Sequence, residues 1–298
     1  MRILVTGGSG YLGTHLRPYF QADEMSRRSG LDILNLQHAR QAEEYDVVIH
    51  CAARMDRSPD AAEEVFLTNV DGTVNLLRSM RKDAVFIFLS TKDVYGRFAD
   101  NHRQVPETCE TLYSGQSPLE WSKLIAERYV EYYAHRRGFR ACIFRLSTPY
   151  APTSYLTTPN IVGHIAEAID LGEPILLPGR GRPRRDLLHV DDIAVACEAF
   201  IGSVIRHGLY NLGGGPANAL TIRELVAKME VVSGATAVID EEHPLPDPVP
   251  FNYVTDISRV TQELDWSPRI VIEEGLATLF KPASETEPSE PKANAADL

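Results

Sequence analysis

The chain opens on a short apolar run, Ile3-Leu4-Val5-Thr6, followed by GGSGYLG and then a helical mixture of polar and apolar positions over 14–22. A weak strand is expected at 24–27, and the apolar run VVIH at 47–50 reads as a buried one. Residues 63–80, which contain NVDGTVNLL, read as a helix; AVFIFLS is a strongly apolar strand. An amphipathic helix follows over 118–138, ended by Gly138, and RACIFRLS is the next strand. Strands this continuously apolar belong at a sheet centre covered on both faces. Their alternation with helices implies an α/β fold, a doubly wound parallel sheet with ligand at the carboxyl ends of its strands.

Beyond Pro149 prolines and glycines become frequent, and helices expected at 159–171, 191–206 and 221–233 alternate with short apolar pieces such as PILLPG and HGLYNLGGG. This half reads as a smaller α+β lobe interwoven with the first. The expected organisation is a dinucleotide-binding domain over 1–150, with later segments interwoven, a substrate-binding lobe over 151–281 and a disordered tail over 282–298, where ASETEPSEPKANAADL has almost no large apolar residue. No internal repeat is visible.

The glycines at 7, 10 and 13 give the first turn its chemistry. Gly7 lets the chain turn sharply out of the strand. Gly10 lets backbone N–H groups approach a pyrophosphate, and Gly13 lets the helix pack closely with its positive end toward the phosphates. The second strand should end in Ser26, Arg27 and Arg28 rather than in the carboxylate that usually receives the ribose hydroxyls of NAD. Those residues suit a 2′-phosphate, so NADP is the expected cofactor, with NAD as the alternative.

Composition narrows the partners. With 30 Lys and Arg against 41 Asp and Glu the net charge is −11, which argues against nucleic acid or an anionic membrane as the main partner. Cys51, Cys109, Cys142 and Cys197 are widely separated and form no metal-ligand pair, so reduced thiols and no metal are expected. The first strand begins at residue 3 and no apolar run is long enough to span a membrane; a cytoplasmic protein is the expectation.

Over residues 1–280 the chain resembles the extended short-chain dehydrogenase/reductase family, in its branch of NAD-dependent epimerases and dehydratases of nucleotide sugars. TGGSGYLG is similar to the family's cofactor loop, VIHCAA to its third-strand motif and NVDGTVNLL to its central helix. LSTKDVYG is similar to its catalytic serine/threonine loop and SKLIAE to the second half of its Tyr-x-x-x-Lys helix. RDLLHVDDIA, YNLGGG and ELDWSPRIVIEEGL resemble segments of the sugar-nucleotide branch. The resemblance implies that Gly7, Gly10 and Gly13, with the backbone of Tyr11 and Leu12, hold the pyrophosphate. It places Asp32 and Ile33 beside the adenine, Ala52 and Ala53 at the ribose and phosphates, and Lys123 on the nicotinamide ribose. Thr91 would hydrogen-bond the reacting oxygen and Arg185 the substrate's diphosphate, although Arg182, Arg184 and Arg185 also read as a solvated basic turn. Asp191 and Asp192 are expected to cap a helix, His189 to pack, and Asn69 and Asn75 to join helix to loop. The expected partners are a nucleotide-sugar substrate and a second copy of the chain.

One position departs from the pattern. The residue four before Lys123, where the family carries the tyrosine that exchanges a proton, is Leu119. Three accounts follow. Acid–base work has moved to Asp93 and Lys92, directly after Thr91; or the protein binds cofactor and sugar nucleotide without turnover; or Tyr113 stands in for the missing phenol. A reductase of small carbonyl compounds is a further alternative, one that would not need Arg185 or the RDLLHVDD segment.

Overall fold

The computed structural model describes residues 1–152, 160–243 and 250–280. The expected tail at 282–298 lies outside the described residues. In chain order the first half comprises β1 (Ile3–Thr6), α1 (Gly13–Tyr19), β2 (Asp23–Met25), α2 (Leu36–Arg40), β3 (Val47–His50), α3 (Ala62–Phe66), α4 (Gly72–Ser79), β4 (Val85–Thr91), α5 (Pro118–Arg137), β5 (Arg140–Leu146) and β6 (Thr148–Tyr150). The second half comprises α6 (Ile161–Leu171), β7 (Pro174–Pro178), β8 (Arg184–His189), α7 (Val190–Gly202), β9 (His207–Leu212), β10 (Ala219–Thr221), α8 (Ile222–Ser233), β11 (Val238–His243), β12 (Asn252–Tyr253), α9 (Ser258–Leu264) and α10 (Ile272–Ala277).

Six strands in the order β2-β1-β3-β4-β5-β9 form one parallel sheet. Every residue of β1 and β3 is buried, because α1, α7 and α9 cover one face and α2, α4 and α5 the other. The apolar side chains therefore run on without alternating, as the sequence suggests. The outermost strand β9 comes from beyond residue 150, so the chain returns to the first sheet after leaving it. A second core gathers α6, α8 and α10 around Leu177, Leu187 and Met229 to form the smaller lobe.

Local chemistry sets the boundaries. The helix expected at 14–22 stops at Tyr19 with Pro18 in its last turn. The second strand ends at Met25 rather than 27, because Ser26 and Ser29 form a reciprocal capping box around a tight turn that carries Arg27 and Arg28. Helix α5 starts with a capping box between Ser117 and Glu120 and with Pro118 in its first turn, and it ends on Gly138 at a φ of 78°. The helical stretch over 63–80 is continuous but passes through a π-helical turn at Leu67–Asp71. Helix α7 is capped by His189, whose Nδ1 accepts from the Asp191 N–H. Asp192, expected to cap, instead accepts from the Arg269 and Ile270 N–H groups and ties the C-terminal segment to α7.

The most buried ion pair joins α5 to the sheet. Arg145 donates to Glu127 from Nε and Nη2, the latter at 2.6 Å, with both side chains essentially out of solvent. Ser90 also donates to Glu127, while Arg145 donates to the Tyr95 hydroxyl, which donates to Asn211. Cutting one partner out of such a pair strands the other charge, at a typical cost of about 3–5 kcal/mol. Arg145→Met should lower the free energy of urea unfolding by that amount; a loss below about 1 kcal/mol would show that the pair is not holding the helix.

His50 supplies a pH test. Its ring lies buried between the hydroxyls of Thr6 and Thr73, at 2.6 and 2.8 Å, and burial lowers its pKa to about 3, with Lys123 adding to the effect. The unfolded chain takes up this proton near pH 6.5 and the folded chain only near 3. The His50 contribution is therefore fully present above pH 6.5 and declines as the pH falls, by about 1.4 kcal/mol per unit for one proton. In His50→Gln the stability–pH slope between pH 6 and 4 should be shallower by about one proton, as chemical denaturation at each pH would measure.

Candidate active site

The glycine turn is built as the spacing requires. Gly7 sits at a φ of 68°, and a Cβ there would lie 2.6 Å from the Ala52 nitrogen, so this loop and the end of β3 touch backbone to backbone. A Cβ on Gly13 would collide with the Gly7 carbonyl oxygen. The Gly10 N–H donates to that same oxygen at 2.9 Å, and Thr14 donates to the Gly10 oxygen at 3.0 Å. Gly10, Tyr11 and Leu12 are left partly exposed at the carboxyl end of β1. This cradle, which any side chain at Gly7 or Gly13 would fill, fits a dinucleotide pyrophosphate. Ala52 and Ala53 lie half-buried beside it. Ile33 has its side chain in the core against Gly72, so only its backbone and the half-exposed Asp32 remain for an adenine. Arg27 and Arg28 are exposed just past β2.

Lys123 is buried on α5. Its Nζ donates to the Leu89 carbonyl at 2.8 Å and lies 4.8 Å from the centre of the Phe88 ring. Burial lowers its pKa to about 8, against the opposing pull of Cys51 and Glu127. Cys51, at the end of β3, is pushed up by burial to about 12 and stays a thiol near neutral pH. Leu119, one turn before Lys123, is 1% exposed and forms an apolar wall. Ser122 is held by Asn69, which also pairs with both backbone groups of Arg54, so the loop after β3 is fixed to α5.

Thr91 ends β4 and accepts the Asp93 N–H, which leaves its own proton to donate elsewhere. Asp93 is clamped. One oxygen receives the Lys92 ammonium at 2.6 Å and the other the Arg57 guanidinium at 2.8 Å. Burial acts to raise its pKa, but the two cations prevail and hold it at about 2. Near neutrality Asp93, expected as a proton carrier, is therefore ionised, a weak base with no proton of its own to donate. Lys92 is itself buried, which lowers its pKa, while Asp93 works to raise it.

Arg185, expected at the substrate's diphosphate, donates to the carbonyls of Arg184, Phe251 and Pro250 at 2.7–2.9 Å, so part of its guanidinium is committed to backbone. Arg184 likewise donates to the Ala219 carbonyl. Tyr113, the stand-in phenol, is 70% exposed and stacks on Trp121. Sequence reasoning missed Arg57, which bridges Asp93 and Glu120 from the loop after β3. Nothing local to Arg57 announces its role. Among the described residues no cluster of three or more metal-ligating side chains occurs, and no helix is long and apolar enough to cross a membrane.

Known proteins resemble this chain. A family model described as the NAD dependent epimerase/dehydratase family matches residues 3–213. CDP-paratose 2-epimerase of Salmonella typhi is 26% identical, over 94% of this chain and 98% of its own length. A dTDP-glucose 4,6-dehydratase of Xanthomonas campestris pv. campestris is 30% identical, over 78% of this chain and 70% of its own. Two solved structures share the fold. UDP-glucuronic acid 4-epimerase from Bacillus cereus, in complex with UDP-glucuronic acid and NAD, has a TM-score of 0.81 at 24% identity, covering 94% of this chain and 98% of its own. RMD from Pseudomonas aeruginosa, complexed with NADPH, has a TM-score of 0.80 at 22% identity with the same coverage.

The cradle itself can be tested. Gly13→Ala sets a methyl against the Gly7 oxygen, an overpacking that typically costs about 1–3 kcal/mol. The variant should bind both NADP and NAD at least about tenfold more weakly, a change of about 1.4 kcal/mol, in a fluorescence titration. Undiminished affinity for both would refute the assignment of the loop.

Proposed function

This chain belongs to the NAD dependent epimerase/dehydratase family, and we propose that it modifies a nucleotide-linked sugar by hydride exchange with a nicotinamide dinucleotide. Epimerisation, dehydration and ketone reduction share that step. The observation that carries the reading is Lys123, buried at the carboxyl ends of β3 and β4 beside the glycine cradle, with the Thr91 hydroxyl ending β4. When bound, the dinucleotide supplies or accepts the hydride. Lys123 binds the ribose, and Thr91 donates a hydrogen bond to the reacting oxygen. Leu119 keeps water from that side of the pocket. Lys92 exchanges the proton, and Asp93, itself steadied by Arg57, keeps the ammonium oriented.

NADP is the cofactor this reading favours. Ser26 stands where a ribose-binding carboxylate would, with Arg27 and Arg28 exposed beside it. Glu24 lies close to Gly8, but its oxygens are taken up by Arg17 and the Ser26 hydroxyl. The substrate is a sugar carried on a nucleoside diphosphate, as in the relatives' names. A second copy of the chain covers the exposed Phe66 and Leu67 near α3 and Tyr129 and Tyr132 on α5. The four free cysteines suit a reducing compartment such as the cytoplasm. The replacement of the phenol by Leu119 and the clamped state of Asp93 favour one rival, a protein that binds these ligands without turnover.

A panel of UDP-, dTDP-, CDP- and GDP-linked sugars and keto sugars, followed by the redox state of bound NADP(H), separates the two. Epimerisation and dehydration return the cofactor to its starting state, so product formation from any of them supports the enzyme, and binding with neither product nor redox change supports the rival. In the active case Lys92→Met should lower kcat by about 10²–10⁴-fold, the usual scale of general acid catalysis, whereas Leu119→Tyr should give no gain. The pH profile carries a sign. Lys92 donates only while protonated, so activity falls as pH rises through its pKa; Asp93→Asn removes a charge that raises this pKa and should move the alkaline limb to lower pH. A limb that moves upward or stays fixed would exclude Lys92 as the donor.

A further inference from the structure

The side chain of Tyr11 points away from the cradle that its backbone helps to form. Its hydroxyl oxygen accepts the Ala151 N–H at 2.9 Å, across 140 residues of sequence. One turn along, in α1, His15 meets the Pro152 carbonyl with Nε2, also at 2.9 Å. Burial lowers the His15 pKa, so the ring is neutral near pH 7 and its Nε2–H is the donor to that carbonyl. Two consecutive residues of the chain leaving β6 are thus gripped by the cofactor loop and the first helix.

Those residues lead directly into the substrate lobe. Asn160, whose side-chain oxygen caps α6, donates from its amide to the Pro149 carbonyl at 2.8 Å. The Tyr150 ring is buried in the core of the lobe, edge-on to His189 at 5.1 Å, and Gly275 passes so close to its hydroxyl that a Cβ would collide. His189 presents Nδ1 to the Asp191 N–H and, among the described residues, keeps Nε2 buried without a partner, and its ring packs against Tyr150. The contacts form a continuous path: cradle backbone, Tyr11 and His15, residues 149–152, then Tyr150 and the lobe's core.

We propose that Tyr11 and His15 are positioning residues that transmit dinucleotide occupancy of the glycine loop to the crossover at 149–152, and so prepare the substrate lobe for the sugar nucleotide. The inference rests on the reading of the loop as a dinucleotide site. An occupied loop loses freedom, and the two side chains it carries hold the crossover more tightly. By linkage, a sugar nucleotide that orders the lobe strengthens dinucleotide binding by the same factor, typically about 5–150-fold.

Hydrogen exchange on the full chain, with and without saturating NADP or NAD, tests this without any turnover. Pro149 and Pro152 have no amide proton, so a peptide over 149–152 reports only Tyr150 and Ala151. In the wild type the dinucleotide should slow exchange in that peptide by about tenfold, alongside protection of the glycine loop. In Tyr11→Phe the loop should still gain protection on binding, while the 149–152 peptide exchanges fast in both states. His15→Ala should weaken the response, and His15→Gln, which keeps a donor at the same reach, should restore it; a merely structural role would not show that rescue. A wild-type loop that is protected while 149–152 is unchanged overturns the coupling and leaves the dinucleotide site intact. A loop unprotected by either dinucleotide overturns both readings, and an unchanged response in Tyr11→Phe and His15→Ala overturns the roles of these residues.

Discussion

A guanidinium and a carboxylate sealed together beneath the carboxyl edge of the sheet set the position of the rest. Glu127 lies one turn past Lys123 on α5, and Arg145 lies near the end of β5. Ser90, immediately before Thr91 on β4, binds the same carboxylate. The pair therefore fixes how far α5 can slide along its axis relative to β4, and with it the separation of Lys123 from Thr91. Two charges removed from water tolerate little departure from good hydrogen-bond geometry, because misalignment leaves desolvation uncompensated. An apolar contact at this place would allow more play. The Tyr95 and Asn211 hydroxyl–amide link extends the same constraint to β9, at the edge of the sheet.

The site is held on three sides by different physics. Steric closeness shapes the cofactor loop, where backbone lies on backbone and only glycine fits. Packing shapes the helix wall, where Leu119 is as buried as any core residue. Electrostatics shapes the end of β4, where Asp93 is shared between Lys92 and Arg57. The family's phenol would ordinarily let one group pack, donate and titrate together. Here a leucine packs at that position, the Thr91 hydroxyl accepts the Asp93 N–H, and a buried ammonium lies beside a fixed anion.

What could be read in advance depended on whether the cause was local. The strands, the glycine turn and the helix end at Gly138 follow from residues within a few positions of one another, and the structure has them. The end of β2 was misjudged by two residues because the reciprocal Ser26–Ser29 cap competes with strand pairing over so short a stretch. The states of Asp93 and Arg185 were not legible. Arg57 reaches Asp93 from 36 residues away, and the carbonyls of 250–251 take Arg185 from 65 and 66 residues away. Charge type shows that such groups will pair, but only the packed chain shows with whom. Asp192 gives the same lesson, since a carboxylate at a helix start is a good cap until a distant pair of N–H groups arrives at it.

The interlocking of the two halves also bears on how the protein is made. The parallel sheet is closed at one edge by β9, a strand that lies more than sixty residues beyond β5 in the chain. As the polypeptide leaves the ribosome, its first five sheet strands emerge with Ala141, Ile143 and Leu146 of β5 still lacking a neighbour. That open strand edge persists until residue 212 is clear of the exit tunnel, so nascent chains shorter than this expose a template for pairing with other chains. Cutting the gene near residue 150, where the motif pattern changes, would leave the same edge unprotected for good.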